Sequence, residues 1–408
     1  MGTLDDALNL ELQSLREAAL WRELRRVDSA TAPSIHIQGQ ETLSFASNDY
    51  LGLASHPALR QAAIRAVERW GVGASSSRLI SGSWQPYHEL EDTLAGWKGT
   101  EAALSFASGY TTALGAIPAL LGSDDVIILD KRVHACCVDA ARLSGAQLRV
   151  FRHNDPEDLK TKLIWATGLG SKMPLKPGEN AASIHRARRI LIVTESVFSM
   201  DGDLAPLRDI IDLKDQFGAW LMLDEAHAVG LFGEQRSGLA EAFEIANRVE
   251  IHMGTLGKAI GSAGGYIAGS RALIDLLVNR ARSFIFSTAP LPAQAAAAKA
   301  AIELIQGPEG ASRCARVWTL VDRLKNELTH AGWPPGVVRS TIVPLIVGEE
   351  GRAVCLAEAL KSQGLFVPPI RYPTVARGAA RLRISLSADH TAEHLQRLVQ
   401  ALRIYAKT

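Results

Sequence analysis

Between residues 57 and 288, short apolar-rich runs alternate with stretches of helical periodicity, and no other feature of the sequence constrains the fold as tightly. The runs, dense in Val, Ile, Leu and Phe, fall at 103–106, 126–129, 148–151, 190–194, 219–223, 249–253 and 266–268. A strand without polar alternation has no face to offer to water, so it belongs inside a sheet covered on both sides. Helical stretches between successive runs then serve as the crossovers of a parallel sheet. The expectation is an α/β fold with a mostly parallel central sheet and helices on both faces. Ligands on such sheets sit beyond the carboxyl ends of the strands, which directs the search for chemistry to the residues after each run.

The remaining chain divides around this core. Residues 1–55 read as an N-terminal arm and part of a small domain, 56–289 as the large ligand-binding domain, and 290–408 as a C-terminal small α+β domain. In the last segment a long helix from residue 290 leads to strands near 343–347 and 381–386 and helices near 353–363 and 391–405. Residues 165–189, polar and containing Gly and Lys, read as an inserted surface loop. The arm, with Asp5, Asp6, Glu11, Arg16 and Arg22 spread through it, reads as an exposed amphipathic helix and not as an apolar leader.

Composition excludes several functions. With 44 Lys plus Arg against 43 Asp plus Glu, the net charge of +1 lacks the cationic surplus that neutralises a nucleic-acid backbone. The Ala-rich stretch 293–305 carries Lys299 and Glu303 and is too short to span a bilayer, so no membrane association is expected. Of 4 cysteines, Cys136 and Cys137 are adjacent while Cys314 and Cys355 stand alone. None has the spacing of a metal-binding pair, so the expectation is no metal and reduced thiols in a cytoplasmic protein.

The residues after the runs carry the chemistry. Asp224-Glu225-Ala226-His227 follows 219–223, and a carboxylate at a buried strand end is costly unless a cation meets it. Read alone it is either a turn cap or half of a site. A helicase reading of the same four residues needs an upstream phosphate loop, and none is present. The nearest approach, Gly254-Thr255-Leu256-Gly257-Lys258-Ala259, has His252 where the partner glycine belongs and Ala259 where the metal-binding hydroxyl belongs. Lys258, fenced by small residues and followed by Gly261, Gly264 and Gly265, has room instead for a flat ligand, and a desolvated lysine attacks carbonyls. The bland alternative is a surface lysine in a Gly-rich loop. Ser108-Gly109-Tyr110 opens a helix after 103–106, where free N–H groups and the helix dipole hold a phosphate. Ser199 offers a hydroxyl after 190–194, and His134, after 126–129, offers an imidazole for stacking on a ring. Taken together these residue types describe a pyridoxal phosphate site: a lysine for the aldehyde, an aspartate for the pyridine nitrogen and a helix start for the phosphate. A dinucleotide site is the alternative on fold alone, but Gly71-Val72-Gly73 follows a helix and Ser76 replaces the last glycine.

These motifs resemble the α-oxoamine synthase family of pyridoxal phosphate enzymes, which have the aspartate aminotransferase fold, fold type I. The likeness covers nearly the whole chain. It runs from Ser47-Asn48-Asp49-Tyr50-Leu51-Gly52 and Ser77-Arg78-Leu79-Ile80-Ser81-Gly82 through the segments above to Arg371-Tyr372-Pro373-Thr374-Val375 and Arg381-Leu382-Arg383. It implies Lys258, His134, Asp224 and His227 as catalytic residues. It implies Ser108, Gly109, Tyr110, His134, Ser199, Asp224, His227, Thr255, Lys258 and Thr288 as cofactor-binding, Thr288 reaching the neighbouring subunit of a homodimer with shared sites. Arg25, Asn48, His134, Arg371 and Thr374 are the implied substrate-binding set, with Arg371 on the amino acid carboxylate. Within the family, residues 151–155, 255–264 and 371–375 look most like the branch that condenses L-alanine with a pimeloyl thioester carried on coenzyme A or acyl carrier protein. Branches using glycine or L-serine with acetyl, succinyl or palmitoyl thioesters are the alternatives.

Overall fold

The computed structural model describes residues 3–18, 20–29, 33–168 and 188–405. The arm contributes β1 (Ser34–Ile37) and β2 (Gln40–Ser44). The middle of the chain contributes β3 (Ala102–Phe106), β4 (Val126–Asp130), β5 (Gln147–Phe151), β6 (Ile190–Glu195), β7 (Trp220–Asp224), β8 (Ile251–Thr255) and β9 (Gly265–Gly269). The C-terminal part contributes β10 (Ile342–Gly348), β11 (Leu365–Phe366), β12 (Pro369–Ile370) and β13 (Ala380–Ser385).

Every apolar run of the middle segment becomes a strand of one sheet, ordered β3-β9-β8-β7-β6-β4-β5. The pairs from β8 through β7, β6 and β4 to β5 are parallel, and β9 alone runs antiparallel to both of its neighbours. Alternate residues of one strand feed opposite faces. Ile127 and Leu129 join a core with Ala113, Ile117, Cys137 and Leu277, from helices Gly109–Leu120, Ala135–Ser144 and Arg271–Arg280. Val126 and Ile128 join Leu159, Leu163, Ile210 and Ile211, from helices Pro156–Gly168 and Leu207–Phe217. Each such side chain contributes about 1.5–3 kcal/mol by leaving water, which is why 126–129 is apolar throughout.

A second sheet, β10-β13-β12, is antiparallel, and a third, β1-β2-β11, joins the two chain ends. Leu43 of β2 pairs with Leu365 of β11 in parallel register, and Ser385 N–H donates to the Phe45 carbonyl at 2.8 Å. The arm is therefore stitched to β13, which brings Asn48 and Tyr50 toward the large sheet. Helix Leu4–Glu17 buries none of its residues, as its amphipathic reading expects.

Two expectations are corrected. The long helix from residue 290 is two, Pro292–Gln306 and Pro308–His330, because Pro308 lacks the N–H that would continue the first. The inserted loop does not begin at Trp165, which lies in the last turn of helix Pro156–Gly168; of the rest, 169–187 lie outside the described residues. Among the described residues no helix is long and apolar enough to cross a membrane.

Candidate active site

The carboxyl ends of β7 and β8 place Asp224, His227 and Lys258 side by side. Lys258 Nζ lies 2.6 Å from His227 Nε2, and His227 Nδ1 lies 2.6 Å from the Tyr50 hydroxyl. Tyr50 also donates to Asn48 Oδ1 at 3.1 Å, and Arg383 Nη2 donates to the same oxygen at 3.2 Å. One proton assignment satisfies the chain: the Lys258 amine donates to Nε2, Nδ1–H donates to Tyr50, and Tyr50 donates to Asn48. The imidazole is then neutral, in keeping with burial and the Lys258 charge, which drive the His227 pKa well below its ordinary value. Five residues from four distant parts of the chain thus form one continuous polar line.

Electrostatics set the lysine. Burial pulls the Lys258 pKa down, against the opposing charges of Asp224 and Glu195. Asp224 Oδ1 accepts the Ala226 N–H at 2.9 Å, while its other oxygen meets no donor among the described residues. Burial raises the Asp224 pKa, so a cationic N–H arriving from a ligand would stabilise its ionised form. Glu195, at the end of β6, is also buried, with Oε1 unpaired, and burial beside Asp224 pushes it up to about 8.

A cradle for an anion lies next to this group. Ser108 caps helix Gly109–Leu120, its hydroxyl accepting from Thr111 N–H at 3.1 Å, which leaves the Gly109 and Tyr110 N–H groups without partners among the described residues. A Cβ built at Gly109 would meet Thr255 at 3.6 Å, so the helix start faces the Thr255 turn. Closure is tighter at Gly265, where an added Cβ would stand 2.7 Å from Gly109 Cα. His134 caps helix Ala135–Ser144, its Nδ1 accepting from Cys136 N–H at 3.3 Å. The unpaired N–H pair, the open Asp224 oxygen and the desolvated lysine suit a planar group bearing a phosphate, a cationic ring nitrogen and an aldehyde.

The structure disperses the expected substrate residues. Asn48 is in the polar line, where Arg383 joins it, and Arg371 donates to the Trp21 carbonyl of the arm at 3.1 Å. Arg25 meets Glu358 at 3.4 Å and lies over Phe366, while Thr374 is exposed in the turn after Arg371. Thr288 is exposed and bridges to Ser77. Ser199 contributes its carbonyl, which accepts from Arg383 Nε at 2.6 Å. Residue-by-residue reading missed Tyr50, Glu195 and Arg383. Glu195 had a local signal, a carboxylate closing an apolar run; Tyr50 and Arg383 lie in two of the motifs that carry the resemblance, but no local pattern assigns them a role. A cavity of about 730 Å³ beside Leu120, Arg280 and Phe286 contains none of these groups.

Comparison with known proteins follows the same lines. Residues 40–402 match the model of the family described as Aminotransferase class I and II. An 8-amino-7-oxononanoate synthase of Geobacter sulfurreducens is 44% identical over 392 residues, 96% of each chain. One of Geotalea daltonii is 45% identical over 392 residues, 96% of this chain and 95% of its own. Among solved structures, serine palmitoyltransferase from S. paucimobilis with a bound PLP–myriocin aldimine gives a TM-score of 0.88 at 27% identity, over 98% of this chain and 97% of that one. The Sphingomonas wittichii serine palmitoyltransferase has the same score and coverage at 29% identity.

Proposed function

We propose, for a chain that belongs to the aminotransferase class I and II family, that it carries out the 8-amino-7-oxononanoate synthase reaction of biotin biosynthesis with pyridoxal 5'-phosphate as cofactor. L-Alanine and a pimeloyl thioester are joined, and carbon dioxide and the free thiol leave. Identity of 44–45% over almost the full length of two synthases carries this reading. The palmitoyltransferases, at 27–29% identity, share the fold, and the one from S. paucimobilis holds a PLP–myriocin aldimine.

The bound cofactor supplies an electron-poor ring that accepts the charge left when a bond at the amino acid Cα breaks. The chain's residues supply the rest. Gly109 and Tyr110 N–H groups with Thr255 would hold the phosphate, and Asp224 would keep the ring nitrogen protonated. Lys258, its pKa lowered by burial, is poised to take the proton from Cα, with His227 and Tyr50 fixing the direction of its amine. His134 would stack on the ring. Arg383 and Asn48, already hydrogen-bonded to each other, receive the substrate carboxylate in place of Arg371. Thr288, exposed beside Ser77, is available to a partner's phosphate, so the active form is read as a homodimer.

Thiol release tests the reading. L-Alanine, glycine and L-serine are paired with pimeloyl, acetyl, succinyl and palmitoyl thioesters, the pimeloyl group on both coenzyme A and acyl carrier protein. Turnover is expected with L-alanine plus a pimeloyl donor. Turnover confined to glycine or serine with another acyl group overturns the assignment.

A further inference from the structure

One cluster outside the polar line remains unexplained by the reaction. His153, just past β5, places Nδ1 2.9 Å from Asp130 Oδ1 at the end of β4, and Nε2 2.7 Å from Asp203 Oδ2 in the loop after β6. Carboxylates only accept, so both ring nitrogens must carry protons for both bonds to exist. The Phe198 ring stands edge-on to the imidazole with centroids 4.4 Å apart. Asn154 reinforces the arrangement, donating to Asp203 Oδ2 and to the Leu204 carbonyl, each at 3.0 Å. The other nearby charges are engaged elsewhere: Arg132 pairs with Asp201, and Arg152 with Asp155 and Asp158.

The loop so held is the one that meets β13. Its Ser199 carbonyl accepts from Arg383 Nε, and its Asp201 pairs with Arg381. We propose that His153 is a positioning residue: its imidazolium, gripped between Asp130 and Asp203, locks residues 196–205 against Arg383 and so sets how tightly the amino acid carboxylate is bound. Its effect on substrate rests on the reading of Arg383 given above; the lock itself does not. Burial disfavours the charged imidazole, but the bonds and charges of Asp130 and Asp203 outweigh this and hold its pKa at about 9. The lock is thus complete at neutral pH and is lost as pH rises through that value.

Two measurements on the cofactor-loaded enzyme test this. Amide hydrogen exchange of residues 196–205, corrected for intrinsic base catalysis, needs no turnover. The wild type is expected to lose protection between about pH 7.5 and about pH 10, and H153Q to lack it throughout. Equal protection in both proteins overturns the lock. The second is the ratio of KM for L-alanine in H153Q to that in wild type, in which titration of the substrate amine and of Lys258 cancels. The ratio should be about tenfold near neutrality, the scale of one charge-assisted hydrogen bond, and approach one above about pH 10, with kcat little changed. A pH-independent ratio, or a fall in kcat alone, overturns the link to Arg383. Should H153Q fail to fold, D203N carries both tests: with one carboxylate gone, the loss of protection must move to lower pH, and an unmoved transition refutes the proposal.

Discussion

Replacing Arg383 and Arg371 separately by lysine decides which arginine the reaction uses. Arg383 is 5% exposed and donates to the Ser199 carbonyl at 2.6 Å, Ser385 Oγ at 2.7 Å and Asn48 Oδ1 at 3.2 Å, so its guanidinium is fixed before substrate arrives. Lysine keeps the charge but reaches with a single ammonium. It gives up one of two parallel bonds to a carboxylate, a charge-assisted bond worth about 1.5–3 kcal/mol, and some of the fixed orientation. A combined loss of about 3 kcal/mol corresponds to a fall of about two orders of magnitude in kcat/KM for L-alanine. Arg371 makes one bond to a backbone carbonyl on a partly exposed segment, so R371K should cost less than about fivefold. The assay is thiol release at saturating pimeloyl thioester, with cofactor absorbance confirming that each variant is loaded. If R371K loses as much as R383K, the assignment of the carboxylate site to β13 is wrong.

Other outcomes follow from the same geometry. Y50F leaves His227 Nδ1 without its partner in a fully buried place, so stability to urea should fall by about 1–3 kcal/mol and kcat should fall more than KM rises; unchanged kcat would remove Tyr50 from the polar line. Lys98 and Glu225 form a buried ion pair, and K98M should destabilise the fold by about 3–5 kcal/mol by stranding the carboxylate. Burial raises the Glu225 pKa, but Lys98 and His252 overcome it and hold it at about 2. Its stabilisation is therefore present above the ordinary glutamate range and lost as pH falls toward about 2, and acid titration of K98M should show unfolding beginning at higher pH than in the wild type. G265A puts a methyl group 2.8 Å from Gly109 N and should weaken cofactor binding, read by equilibrium dialysis, with less effect on KM for L-alanine.

Much of the fold was legible because burial is periodic and local. All seven runs became strands of one sheet, and the reason lies within each run, whose side chains alternate between two faces, both covered except at the edge strand β5, where Val150 is exposed. The run at 249–253 enters the sheet two residues late, because Ala246–Arg248 form a helical turn and pairing with β7 begins at Ile251. The arm hid better. β1 and β2 are short, joined by a turn at Gln38 and Gly39 with positive φ, and stabilised by pairing with β11 more than 300 residues away in sequence, so no local pattern announces them.

The sequence by itself determined the α/β class, the side of the sheet where chemistry lies, and the residues that close strands there: Asp224, Lys258 and the Ser108-Gly109 helix start. These need only the run and its end. Tertiary structure decided which of several arginines faces the lysine. β13 pairs with β10 so that Arg383 lies opposite Pro344, and Arg381, two residues away, points to the same face; both therefore meet the loop at 199–201. Arg371 precedes that strand and is drawn to the arm. An arginine's reach is long enough to serve either place, so its destination is set by strand register and by the partners folding brings to it, and neither is written in the residues beside it.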